Sequence, residues 1–551
     1  MHVVVIGAVA LGPKAAARFK RLNPKARVTM IDQSPHISYG GCGIPYYISG
    51  EVDRVDELRE TPYGVVRDAA FFKTAKDIDV LVQSKATAID RKAKTVTVRH
   101  QLSGEESTIP YDRLVLAMGS APNMPPIPGL ELKGITPCTN LEEAELIKTS
   151  VTKGQVNNAV VVGGGFIGLE VAVAFADMWG IPTSVVEFAP HVLPNTLSDD
   201  MAAMVTKDLQ DHDVNVYAAE KVIRFEGENG KVSKVITDKR EIEADLVILS
   251  AGVRPATEIA TAAGIKTNER GMIIVDEHMR TNDPDIYSGG DCALVRNLIT
   301  GKEGWFPLGS LANRQGRIIG TNLASESGTA ASFPGAVGSW VVKLFEQTAA
   351  GAGLTINAAL REGYDAINIH VEQLDRAHFY PEKSMMALDL VVDKKDGRVL
   401  GIQGTSANGE GLLARINPVA ALLTHGPVHT HDLSTLEVAY SPPFAAAMDV
   451  VNTIGNVAEN ILNERCKPIS LGEFNKLWED RENNDLYILD ARASYQSEEV
   501  VARNSKFWHS IPADEIRKRL DEIPKDKPLV LICNTGLRSY DAQLILNNLG
   551  V

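Results

Sequence analysis

The sequence predicts an α/β protein of several domains, on three observations. Residues 2–7, "HVVVIG", form a β-branched run suited to a buried parallel strand; a small-residue turn, "GAVALG", a helical stretch and a second strand, "RVTMID", follow. The same order recurs in "AVVVGGGFIGLEVAVAFADMWGIPTSVVE", from Ala159 to Glu187. Near the C-terminus, "KPLVLICNTGLRSYDAQLILNN" runs strand, cysteine-bearing loop, helix. Strand–turn–helix–strand units repeated along one chain give parallel sheets covered by helices.

Composition bounds the function. The chain has 551 residues, enough for roughly three to five domains at about 100–200 residues each. Its net charge of −14 argues against general binding to nucleic acid or an anionic membrane. No run of about 18 apolar residues suggests a membrane span. "MHVVVIGAVALG" lacks a basic leader and a small-residue cleavage site, so it reads as a core strand rather than a signal peptide. The five cysteines are scattered, without disulfide-framework or metal-ligand spacing. A cytoplasmic protein with reduced thiols and no metal is expected, with Cys138, Cys292 and Cys466 structural.

Each glycine turn carries a chemical expectation. In the first unit Gly7 and Gly12 bracket the turn, and Asp32 ends the next strand about twenty residues later. Val9 stands where the middle glycine of G-x-G-x-x-G would be. In the second unit Gly163, Gly165 and Gly168 complete the pattern, and Glu187 ends the next strand. Glycines there permit a tight turn and close approach of a pyrophosphate to a helix N-terminus. Glu187 can accept from both ribose hydroxyls and would repel a 2′-phosphate, which favours NADH over NADPH. Two such units imply a flavin and a nicotinamide.

Three further segments, "LVLAMGS" (114–120, with Gly119), "SAGVRP" (250–255, with Gly252) and "TNDPDIYSGGDC" (281–292, with Asp291), complete a pattern. With them, about the first 445 residues resemble the two-dinucleotide flavoprotein disulfide reductases. The resemblance implies that Asp291 hydrogen-bonds the flavin ribityl chain. It implies an FAD-binding domain over 1–120 and 246–328, an NADH-binding domain over 121–245, both Rossmann-like, and an α+β dimerisation domain over 329–445. A linker over 446–468 and a C-terminal α/β domain over 469–551 complete the expected layout. Ala8 departs from the Gly-Gly-Val-Ala-like turn of the branch that carries valine at the position of Val9.

Cys42 lies in "SYGGCGIPYYISG", and Tyr47 occupies the position of the second cysteine in the two-cysteine reductases. The pattern is similar to the single-cysteine branch: NADH oxidases and peroxidases, and coenzyme A-disulfide or persulfide reductases. A lone cysteine must form a sulfenate or a mixed disulfide with its substrate. Oxidases and peroxidases carry a histidine in the first glycine turn; Ala10 stands there, which favours the sulfur substrates. Lys14, Arg18, Arg21 and Lys25 share a face of the first helix. The resemblance implies that Lys14, Arg18, Arg21, Ser38 and Lys73 hold the phosphates of coenzyme A, a candidate bound thiol carrier. Gly41 replaces the family's asparagine, and Met448 replaces a cation in "YSPPFAAAMD", removing one phosphate anchor. Tyr380 and Tyr440 match tyrosines that reach the partner subunit's active site in a homodimer, where a phenol could protonate a leaving thiolate.

Cys533 begins "CNTGLRS", at the end of a strand and before a helix. Successive backbone N–H groups and the helix N-terminus form a thiolate cradle, with Arg538 as a fixed cation. The loop resembles that of rhodanese domains, C-x-x-G-x-R-S, and "LDAR" (489–492) resembles their structural Asp-x-Arg. The chain stops at Val551, before the last strand and helix usual in such domains, so the domain is expected to be abbreviated or to continue further. The whole implies an FAD- and NADH-dependent reductase of persulfides, polysulfide or coenzyme A disulfide, with catalytic Cys42 coupled to a sulfane-sulfur carrier at Cys533. An NADH oxidase or peroxidase, and a redox sensor acting through the rhodanese-like unit, are the alternatives.

Overall fold

The computed structural model describes residues 1–550. The chain divides into two compact units, residues 1–194 with 206–338, and residues 195–205 with 339–551.

The first unit holds two parallel five-stranded sheets of the same plan. One is ordered Ile286–Ser288, Arg113–Leu116, His2–Ile6, Arg27–Ile31, Asp79–Leu81. The other is ordered Val214–Tyr217, Thr183–Val186, Ala159–Val162, Leu246–Leu249, Ile135–Thr136. Their central strands are buried on both faces, which is why they read as unbroken apolar runs rather than alternating ones. Each sheet has an antiparallel three-stranded meander inserted just before one of its strands: 84–110 before Arg113–Leu116, and 222–243 before Leu246–Leu249. The chain passes between the two domains along paired strands Ser120–Pro122 and Val253–Pro255.

The second unit is built on an antiparallel sheet ordered Trp340–Leu344, Gln347–Gly353, Arg398–Ser406, Met385–Asp393, Ala366–Leu374. Helices Gly409–His425 and Val450–Leu462 pack on it. A smaller parallel sheet follows, ordered Trp508–Ser510, Tyr487–Asp490, Leu529–Ile532, with helices Leu471–Glu479, Ser494–Asn504 and Leu537–Asn548. Among the described residues no helix is long and apolar enough to cross a membrane.

The structure moves three of the expected boundaries. Residues 329–338 lie with the first domain, because Phe333 and Ala336 are buried in the core of the first sheet. The expected linker over 446–468 is largely helix: Asp449 caps Val450–Leu462, whose Val450, Val451, Ile454 and Ala458 are buried. Residues 195–205, expected within the NADH domain, bury Leu197, Ser198, Met201 and Ala202. They attach to the antiparallel sheet, where Ser198 Oγ donates to Asp389 and Ser198 N to Gln403.

Two glycines aim each nucleotide-domain helix. A Cβ on Gly168 would sit 2.0 Å from Gly163 O, so the helix can leave the turn this closely only with glycine. Gly168→Ala is expected to destabilise the second domain by about 1–3 kcal/mol or more. Thermal unfolding should register this, together with slowed flavin reduction by NADH.

Candidate active site

The two turns superpose residue for residue in their constraints. Gly7 (φ +101°) and Gly163 (φ +113°) lie in the left-handed region, and a Cβ on either would strike the carbonyl of Ala117 or Ser250 at 2.0 and 2.2 Å. Gly12 repeats Gly168, its Cβ position being 1.9 Å from Gly7 O. Gly165 differs: no protein atom lies within 4 Å of its Cβ position, so its missing side chain leaves room for a ligand. The strand-end acids also match. Asp32 accepts from Ala8 N at 2.7 Å and Ser34 N at 2.9 Å. Glu187 accepts from Gly164 N at 2.6 Å and Ala189 N at 2.7 Å. Each acid therefore fastens its own turn and keeps lone pairs for further donors. Gly119 (φ +67°) and Gly252 (φ +83°) make the turns at the interdomain crossing. The Asp291 carboxylate, pushed up by burial, receives one protein donor among the described residues, Ser120 Oγ at 2.9 Å. A partly buried carboxylate with spare acceptor sites suits a polyol chain, so these residues fit an FAD in the first domain and a nicotinamide nucleotide in the second.

Cys42 sits in a short 3-10 turn, Gly41–Gly43, leading into the helix Ile44–Ser49. None of the five cysteines is disulfide-bonded. The Cys42 thiol is accessible to solvent but crowded on its inner side. That burial, then the carboxylates of Glu170 and Asp291, push its pKa up. Tyr47 is turned to Lys148, whose Nζ lies 4.2 Å from the ring centroid. Glu170 was not anticipated from the sequence. It lies on the helix Phe166–Val173, accepts from Tyr46 Oη at 3.4 Å, and burial raises its carboxyl to about 7. A single glutamate in an apolar helix carries no pattern that marks it.

A line of polar groups leads from the thiol to the expected cations. The Cys42 Sγ is 4.0 Å from the Cβ position of Gly309, at the start of the helix Gly309–Leu323. Asn313, Arg317 and Thr321 follow at helical spacing, and Thr321 Oγ1 accepts from Arg18 Nε at 3.1 Å. Lys14 and Arg18 lay their stems against Gly316 and Gly320 of that helix. Among the described residues, Lys14, Arg18 and Arg21 form no ion pair with a carboxylate. Lys73 departs from the expectation of a free phosphate ligand: it pairs with Asp79 at 2.7 Å and Asp77 at 3.8 Å. Ser38, buried with φ +52°, is fixed by donating its N–H to Ala8 O at 2.7 Å.

Tyr380 and Tyr440 lie in the second unit, each on a loop at the edge of the antiparallel sheet domain. Tyr440 is 51% exposed, with Phe444 and Met448 exposed nearby in sequence; Tyr380 is partly buried and follows exposed Phe379.

Cys533 has the opposite electrostatics to Cys42. Burial alone would raise its pKa, but donors prevail and lower it: the Ser539 hydroxyl, then the N–H groups of Ser539, Thr535 and Gly536. Gly536 N lies 3.2 Å from the sulfur, and Gly536 itself (φ +90°) turns the loop into the helix Leu537–Asn548. The expected cation differs. Arg538 reaches toward Gln496 at 3.5 Å, and the Cys533 charge is a minor contributor to the raised pKa of Arg492 after its bond to Asp490. Arg492 is also the structural partner of fully buried Asp490, which accepts from its Nε and Nη2 and from Trp508 Nε1. "LDAR" therefore serves the fold and the thiol together.

Two nucleotide-binding domains around one unpaired cysteine, an antiparallel third domain and a thiolate-stabilising C-terminal loop define a flavoprotein oxidoreductase of the single-cysteine type with a rhodanese-like domain. Residues 1–316 match the pyridine nucleotide-disulphide oxidoreductase family and residues 341–451 its dimerisation domain; the chain belongs to this family. It is 35% identical over 455 residues to the NAD(P)H coenzyme A polysulfide/persulfide reductase of Pyrococcus horikoshii, covering 83% of this chain and 98% of that one. It is similar in structure to an NAD-dependent persulfide reductase from A. fulgidus (40% identity, TM-score 0.93, 100% of this chain and 97% of that one). It is also similar to reduced Bacillus anthracis CoADR-RHD (31% identity, TM-score 0.90, 100% of this chain and 95% of that one).

The opposed electrostatics of the two thiols are measurable. As pH rises in an iodoacetamide titration followed by mass spectrometry, Cys533 should be alkylated at lower pH than Cys42. Glu170→Gln removes a carboxylate facing Cys42, so the Cys42 midpoint should move to lower pH while that of Cys533 stays. A Cys42 midpoint unmoved by this change would show that the carboxylate does not act on the thiol.

Proposed function

We propose that this chain, as a homodimer, uses NADH to reduce the sulfur–sulfur bond of a persulfide or disulfide borne on coenzyme A or a like phosphorylated thiol, with Cys42 as nucleophile. The observation that carries this is the line from Cys42 along the helix Gly309–Leu323 to Lys14 and Arg18. Twelve helical residues separate Gly309 from Thr321, about 18 Å at 1.5 Å per residue. A long arm with its thiol at one end and its phosphates at the other fits that span. Ala10, in place of a histidine, leaves peroxide chemistry without an acid or base in the turn.

FAD, when bound, supplies the two-electron relay between nicotinamide and sulfur. The Cys42 thiolate attacks the inner sulfur of R–S–SH, expels hydrosulfide and forms Cys42–S–S–R. Two electrons and a proton then return Cys42 thiolate and free R–SH. The sum is R–S–SH + NADH + H⁺ giving R–SH + H₂S + NAD⁺. Tyr440 and Tyr380 reach the partner subunit's Cys42 region, where a phenol protonates the leaving thiolate. Glu187 selects NADH over NADPH, since its carboxylate repels a 2′-phosphate. Cys533, whose pKa is lowered by the donors around it, carries sulfane sulfur to Cys42 from larger donors.

Cys42→Ser should abolish persulfide-dependent NADH oxidation while leaving anaerobic flavin reduction by NADH intact; surviving turnover would refute the nucleophile. Arg18→Glu should raise KM for coenzyme A persulfide by about tenfold or more, with little change for a small uncharged persulfide. Equal effects on both acceptors would remove the phosphate reading. Cys533→Ser should spare small persulfides and slow polysulfide.

A further inference from the structure

Both tyrosine-bearing loops of the antiparallel domain converge on one buried side chain that sequence reasoning passed over. Arg415, on the helix Gly409–His425, is 5% exposed. Its Nη2 donates to the carbonyls of Asp375 (2.9 Å) and Phe444 (3.0 Å) and to Asp449 Oδ2 (2.8 Å). Its Nε donates to the same Asp449 oxygen at 3.1 Å, and Nη1 to Gly411 O at 3.0 Å.

Asp375 is the neck of the loop that carries Tyr380. Its N–H donates to Ser384 O and its Oδ1 accepts from Ser384 N, both at 2.9 Å, which closes the loop. Its Oδ2 accepts from Asn408 at 2.7 Å and from Arg376, whose guanidinium lies 5.8 Å from the Tyr380 ring. Phe444 and Asp449 belong to the segment that carries Tyr440: Phe444 N donates to Ser441 O, and Asp449 Oδ1 accepts from Val451 N to cap the next helix. The two loops are far apart in sequence, and the Arg415 guanidinium bonds to both.

We infer that Arg415 is a positioning residue that sets Tyr380 and Tyr440 relative to each other for the sulfur-reducing step. This rests on the roles given above to those tyrosines. A planar guanidinium can serve several acceptors in fixed directions at once; a lysine ammonium at the end of a flexible stem cannot. Charge retention with loss of that fork is therefore the informative change.

The test is Arg415→Lys in the FAD-loaded dimer. Hydrogen exchange should speed by about tenfold or more in residues 376–383 and 441–448 together, with strands Met385–Asp393 and Arg398–Ser406 unchanged. The oxidative half-reaction with a small persulfide should slow by about tenfold while flavin reduction by NADH keeps its rate. In a Tyr440→Phe background the same substitution should cost less than about twofold, because a residue acting through Tyr440 has little left to lose. Exchange rising in one loop only, or equally through the strands, overturns the proposal, as do costs that multiply in the double variant. Should Tyr440→Phe and Tyr380→Phe both leave the half-reaction unchanged, the tyrosine assignment fails, and joint release of the two loops still decides whether Arg415 ties them. If Arg415→Lys does not fold, Asp449→Asn keeps the cap oxygen, loses the counter-charge and should release both loops together to a smaller degree.

Discussion

Two glycines on one helix hold the candidate site together. Gly316 and Gly320 let the helix Gly309–Leu323 lie on the backbone of Leu11–Leu22; a Cβ on either would come within 2.7 Å of the carbonyl of Leu11 or Ala15. That contact fixes three things at once. It places the N-terminus of one helix beside Cys42, lays the stems of Lys14 and Arg18 along the other, and aligns the first glycine turn under both. Widening it by a single methyl group would push the helix Gly309–Leu323, whose N-terminus flanks Cys42, away from Lys14 and Arg18.

The two thiols of this chain are tuned in opposite senses by the same physics. At Cys42 burial and two carboxylates disfavour the thiolate; at Cys533 four donors outweigh burial and favour it. Surroundings that disfavour the thiolate slow the oxidation of a thiol. A thiolate held in a loop of N–H groups is a good acceptor and a good leaving group for sulfane sulfur.

What could be read from the sequence follows from what is local. The glycine turns were legible because steric demand at Gly7, Gly12, Gly163 and Gly168 is set by the immediate backbone, and only glycine meets it. Cys42 drew notice because Tyr47 and Ala10 stand at fixed spacing where a second cysteine and a histidine would be. Side-chain partners are less legible than turns. Lys73 has the right charge and is paired with Asp77 and Asp79; Arg538 lies in the motif and its guanidinium is turned toward Gln496. Glu170 gains its raised pKa from burial against Tyr46 and its surroundings, which no spacing encodes. Residues 446–462 have the apolar repeat of a helix, but the sheet that buries it begins a hundred residues earlier.

The tyrosine loops have little of their own to hold them in place. Tyr440 and Tyr380 stand on irregular backbone whose own hydrogen bonds are few and local, such as Phe444 N to Ser441 O and Tyr380 N to Ala377 O. Loops of that kind are easily displaced, and proton donation from a phenol demands placement within hydrogen-bond reach. A fully desolvated guanidinium answers this because leaving any of its acceptors unpaired would be costly, so the loops are held by the penalty for release rather than by the strength of any one bond. Placing that penalty under the loops, on the rigid helix that packs against the sheet, lets the tips stay exposed for a partner chain while their necks stay fixed.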